Sequence, residues 1–103
     1  REQSIQLATG LTAIVIVAGI WLNMGPLSWA LLTLSLGAVW ITECLNTAIE
    51  ATINLGSPEP HPMAKIGKDV AATASLVATV VFLIIIVLIL LPRLPERLAL
   101  PGT

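Results

Sequence analysis

"VWITECLNTAIEATIN", Val39 to Asn54, is the stretch that decides how this chain folds. Glu43, Asn46, Thr47 and Glu50 are spaced i, i+3, i+4, i+7, so a helix gathers them on one face, and Asn54 carries the stripe one turn further. Upstream, residues 27–42 hold no charge. The segment therefore reads as a helix that begins in hydrocarbon and ends in water. An ionisable side chain at membrane depth is costly and marks a site by default, which singles out Glu43. For Asn46 and Thr47 two readings stand: interhelical hydrogen bonds that fasten neighbouring helices, or contacts in the same site as Glu43.

Composition points the same way. Of the 103 residues 56% are hydrophobic and only 11% charged, and the mean hydropathy is +0.96, which places the chain among membrane proteins. A net charge of -1 indicates neither a polyanion-binding surface nor an acidic tail, so nucleic acid is not an expected partner. Cys44, the single cysteine, permits no internal disulfide and joins no zinc or redox motif. It reads as a small, buried helix residue. The whole chain, residues 1–103, reads as one integral-membrane domain, and so small a membrane protein is expected to complete its sites by oligomerising.

A bilayer core is about 30 Å thick and takes about 20 apolar helical residues to cross. Three segments qualify, at about 6–22, 27–50 and 70–91. The first ends at "WLNMGP", where Asn23, Gly25 and Pro26 make a tight turn and Trp21 sits where an interfacial aromatic belongs. The second continues as a helix through the opening stretch to Leu55, with Gly56 as its stop. "GSPEPHP", Gly56 to Pro62, has three prolines in seven residues and reads as a stiff, wet loop, after which Pro62 opens the next helix. The far half of the third span, "VVFLIIIVLILL", has the composition of a lipid-facing helix, and the proline-rich tail from Pro92 is expected to leave the membrane. No cleavable signal and no internal repeat is expected. Arg1, Lys65 and Lys68 fall on one side of this three-span arrangement and Arg93 and Arg97 on the other, so the positive-inside rule makes the first side cytoplasmic.

"HPMAKIGKDVAATAS" brings Lys65, Lys68 and Asp69 to the membrane surface that Glu50 occupies. Lys65 and Asp69, four apart, have the spacing of a plain surface pair. Taken together, the pattern offers carboxylates suited to Mg²⁺, lysines suited to phosphates and a loop suited to a base.

"ECLNTAIEATIN" followed by "EPHPMAKIGKDVAA", together with "WLN", closely resembles the prokaryotic diacylglycerol kinase family, which includes undecaprenol kinases. The resemblance covers nearly the whole chain. It implies an all-α membrane protein of three transmembrane helices, a homotrimer whose sites lie between subunits, with the family's N-terminal amphipathic helix largely missing from this sequence. It implies phosphorylation of a lipid alcohol, diacylglycerol or undecaprenol, by ATP with Mg²⁺, at the cytoplasmic face of the bacterial inner membrane. Carried over residue by residue, Glu43 becomes the general base, Glu50 and Glu2 the metal ligands, and Glu59, His61, Lys68 and Asp69 nucleotide contacts. Asn46, Trp21 and Asn23 become lipid-substrate contacts. There are departures: Asn54 stands where the family has aspartate, and Gln6 where an arginine is expected. "NTAIE" and "HPMAKIGKDVAA" are slightly more similar to the undecaprenol-kinase branch. Two other classes compete with a kinase: a small multidrug-type transporter, which needs four spans and a glutamate in its first, and a non-catalytic accessory subunit.

Overall fold

The computed structural model describes residues 2–56 and 60–98, with the side chains of residues 2–4, 96 and 97 left out. The described residues are helical: α1 Glu2–Trp21, α2 Pro26–Gly56, α3 Pro62–Leu90 and a short α4 Arg93–Leu98. A helix satisfies its own backbone hydrogen bonds, which is what a chain this apolar must do if it is to enter lipid.

Two helices are long and apolar enough to cross a membrane, Pro26–Gly56 and the segment Pro62–Pro95, while the apolar part of α1, Ile5–Trp21, falls in the class of shorter apolar helices. In the most apolar windows of the two long helices only 22% and 11% of residues are buried, too little for core helices of a soluble fold, so their apolar faces look outward. The first of the three expected spans is thus the shortest.

Each punctuation point has a local cause. α1 ends in a Schellman turn: Met24 N–H donates to Gly19 O at 3.2 Å and Asn23 N–H to Ile20 O at 3.1 Å. Asn23 takes the left-handed conformation this requires, φ 56°, which asparagine tolerates better than most residues. The turn folds Met24 and the Trp29 indole over Gly19, where a Cβ would lie 2.6 Å from Met24 Cε and 2.5 Å from Trp29 Cη2. α2 opens with Pro26 as its first residue. α3 is capped by His61, whose Nδ1 accepts from Met63 N–H at 3.1 Å, and Pro62 fills the first turn. At the far end, Pro92 follows α3, but the tail does not simply leave: it forms α4, and Arg93 Nη2 donates to Ser28 Oγ of α2 at 2.9 Å.

α2 and α3 form the main antiparallel pair, and α1 lies against α2 over a shorter contact. The core, Val15, Leu22, Met24, Leu32, Leu36, Val39 and Phe82, draws on all three. Trp40 Nε1 donates to Thr12 Oγ1 at 2.8 Å and fastens α1 to the middle of α2. Length sets the position of the site. α2 has 31 residues and α3 29, roughly 45 Å each against about 30 Å of hydrocarbon, so the α2–α3 hairpin is longer than a bilayer core by more than two turns.

Candidate active site

That emerging hairpin carries the polar residues. Beyond Val39 the α2–α3 seam changes character: Asn46 on α2 and Ala71 and Ser75 on α3 are buried in place of large apolar side chains. At Gly67 the helices approach so closely that a Cβ would stand 3.0 Å from Ile53 Cδ1. Small residues on α3 are what let the polar face of α2 lie against it.

Two cross-helix contacts set the register. Ser75 Oγ donates to Glu43 Oε1, and Lys68 Nζ donates to Asn54 Oδ1 at 2.5 Å, nearer the water. Between these levels lie Asn46 and Thr47. Glu43 Oε2, Asn46 Oδ1 and Thr47 Oγ1 are buried with no hydrogen-bond partner among the described residues. Interior polar atoms are normally paired, so three unpaired oxygens within two helical turns mark a face prepared for something polar from outside the chain. Glu50 is half-buried on the same face, seven residues toward water from Glu43.

The expected site residues are only partly brought together. Glu43, Asn46, Glu50 and Lys68 share the α2–α3 seam. Asp69 turns to Lys65 instead, Oδ2 to Nζ at 2.8 Å, with side chains 63% and 78% exposed, as the plain surface-pair reading has it. The hydrogen bond from Lys65 to Asp69, then the charge of that carboxylate, raises the Lys65 pKa above its ordinary value. His61 is exposed at the wet end, its Nδ1 committed to the α3 cap. Glu59 and the Glu2 side chain lie outside the described residues.

Trp21 and Asn23, expected as lipid-substrate contacts, stand at the opposite end of α2 from Glu43: α2 begins at Pro26, 17 residues before Glu43, so they lie roughly 25 Å from it along the helix. Asn23 there takes part in the Schellman turn. One expectation is corrected: Cys44 is exposed rather than buried, because one residue on from Glu43 rotates it about 100° around α2, off the α3 contact. The sequence reading missed Ser75. Its signal was there: Lys68, Ala71, Ser75 and Phe82 recur at helical spacing, and the last three are the buried residues of α3.

Mg²⁺ is satisfied by one or two carboxylates with phosphate oxygens and water. The Glu50 carboxylate, half-buried at the wet end of the seam, is a donor of that kind. Among the described residues no three His, Cys, Asp or Glu side chains cluster as a metal cage.

Residues 1–90 match the family model for prokaryotic diacylglycerol kinase. The chain is 37% identical over 93 residues to the undecaprenol kinase of Bacillus subtilis, covering 90% of this chain and 76% of that protein. It is 38% identical over 95 residues to a diacylglycerol kinase of Synechocystis, covering 91% of this chain and 53% of that protein. With the diacylglycerol kinase of Escherichia coli it shares 34% identity over 71 residues, 69% of this chain and 58% of the relative. No solved structure matches.

Proposed function

The chain belongs to the prokaryotic diacylglycerol kinase family and is a lipid kinase, and from that premise we propose that it transfers the γ-phosphoryl group of ATP to the hydroxyl of a membrane lipid alcohol, with Glu43 as general base. The observation that carries the reading is the buried trio of Glu43 Oε2, Asn46 Oδ1 and Thr47 Oγ1 on one face, without partners among the described residues. Leaving a buried polar atom unpaired costs about 1–3 kcal/mol, a cost that a lipid hydroxyl entering between Glu43 and Asn46 relieves.

Phosphoryl transfer asks for positioning and charge neutralisation more than for covalent help. Glu43 Oε2 takes the proton of the lipid hydroxyl as its oxygen attacks the γ-phosphorus. The new O–P bond forms opposite the one that breaks, and ADP leaves. Asn46 orients the hydroxyl. Lys68 extends its ammonium at the membrane edge, where it offsets phosphate charge without burial. Glu50, with Glu2, is the protein's share of a Mg²⁺ site. When bound, that ion neutralises β- and γ-phosphate oxygens. Glu59, His61 and Asp69 remain assigned to the nucleotide side.

The substrate is diacylglycerol or undecaprenol, the two alcohols in the names of the relatives. The protein works in the bacterial inner membrane with this end in the cytoplasm, α1 as a third span and three copies completing sites between them. The outward apolar faces of α2 and α3 support the membrane placement.

The test is Glu43→Gln in lipid bicelles with labelled ATP and each alcohol in turn. Loss of a positioned base lowers turnover by roughly 10²–10⁴, while nucleotide binding persists. Near wild-type phosphorylation of both lipids by the variant removes Glu43 as the base.

A further inference from the structure

The geometry points to Ser75 as the positioning residue of the phosphoryl-transfer reaction, holding one oxygen of Glu43 so that the other meets the substrate. The inference rests on the reading of Glu43 as general base and adds a residue on α3 to it.

Ser75 is 5% exposed and stands on α3 directly across the seam from Glu43. Its hydroxyl donates to Glu43 Oε1, whereas Oε2 is buried with no partner among the described residues. The two carboxylate oxygens are therefore unequal. A glutamate side chain has three rotatable bonds, and a donor of this kind keeps the carboxylate from turning. With Oε1 tethered, Oε2 keeps its lone pairs directed to the face it shares with Asn46 and Thr47. Proton transfer in the transition state depends steeply on such placement.

Ser75 has one hydroxyl proton, and Glu43 receives it, so the side chain cannot at the same time donate to a lipid or a phosphate. It acts through Glu43. The backbone at this point is braced too: Thr79 Oγ1 donates to Ser75 O at 3.0 Å. The competing role for the contact is a fastener between α2 and α3, which would change stability and leave the chemical step alone. Ser75 belongs to the α3 stripe of small residues, and a fastener would be equally well served by any residue that packs there.

The full chain in bicelles distinguishes the two roles. Ser75→Ala removes the donor from a site of nearly unchanged size, Ser75→Thr keeps a hydroxyl, and both are measured alone and combined with Glu43→Gln. We expect Ser75→Ala to lower kcat about tenfold, the size of one hydrogen bond to a charged group, with KM for MgATP unchanged. Ser75→Thr recovers most of that loss. In the Glu43→Gln background, Ser75→Ala has no further effect on the residual rate, because the group it orients is gone. A Ser75→Ala enzyme with wild-type kcat overturns the assignment, and so does an equal tenfold loss in both backgrounds. If Ser75→Ala fails to assemble, an inactive Ser75→Thr in a correctly assembled protein overturns it equally. Full activity in Glu43→Gln would instead remove the base itself and the present inference with it; an inactive Glu43→Gln beside a fully active Ser75→Ala removes Ser75 alone.

Discussion

Lys68 and Asn54 meet across the α2–α3 seam, Nζ to Oδ1 at 2.5 Å, and the partner of this lysine is a neutral amide. One turn earlier on α3, Lys65 is matched by a carboxylate, Asp69. Two lysines three residues apart thus differ in kind: one charge is compensated on the spot, and the other is held in place with no carboxylate paired to it among the described residues.

That difference predicts unequal nucleotide kinetics. Lys68→Met should raise KM for MgATP several-fold, and Lys65→Met should change it little, since an exposed ion pair is worth about 0–1 kcal/mol. If both lysines only hold the helix to anionic headgroups, at about 1 kcal/mol each, the two variants will behave alike. ATP titrations of both proteins in one lipid mixture decide between the outcomes.

The metal site makes its own prediction. Glu50→Ala should raise the Mg²⁺ concentration needed for half-maximal rate and weaken MgATP, leaving KM for the lipid alcohol near its wild-type value. The reason is depth: Glu50 lies seven residues along α2 from Glu43, roughly 10 Å nearer water, too far to touch the same hydroxyl. An unchanged Mg²⁺ requirement in this variant would remove Glu50 as a ligand.

How far these sites were legible in the sequence differs with the distance between the partners. Everything set by spacing along one helix could be read directly: the stripe from Glu43 to Glu50, the stop at Gly56, the opening of α3 at Pro62. The Lys65–Asp69 pair was legible for the same reason. Contacts between helices were not, because they depend on the register of α3 against α2, and that register follows from the close packing at Gly67 and Ala71. Ser75 against Glu43 and Lys68 against Asn54 are both of this kind. The separation of Trp21 and Asn23 from Glu43 is also of this kind: antiparallel packing puts the end of α1 at the opposite end of α2 from Glu43, which no local pattern states.

The turn that makes α1 antiparallel gives a prediction about stability whose sign depends on position. Gly10 and Gly19 both lie within α1, and in an isolated helix replacing either with alanine would help by about 1 kcal/mol. At Gly10 nothing stands within 4 Å of a new Cβ, so Gly10→Ala should stabilise by up to that amount. At Gly19 the Cβ would lie 2.5 Å from Trp29 Cη2 and 2.6 Å from Met24 Cε. Met24 can swing its terminal methyl aside, but the indole is rigid and packs against the buried core around Val15 and Leu32. Its displacement therefore propagates into α2, and overpacking of this sort costs about 1–3 kcal/mol, which outweighs the gain in helix propensity. Gly19→Ala should accordingly lower the midpoint of unfolding in mixed micelles while Gly10→Ala raises it or leaves it unchanged. Trp29→Phe in the Gly19→Ala background should recover part of the loss by removing the atoms that collide. Equal behaviour of the two glycine variants would show that α1 does not depend on the close approach at Gly19.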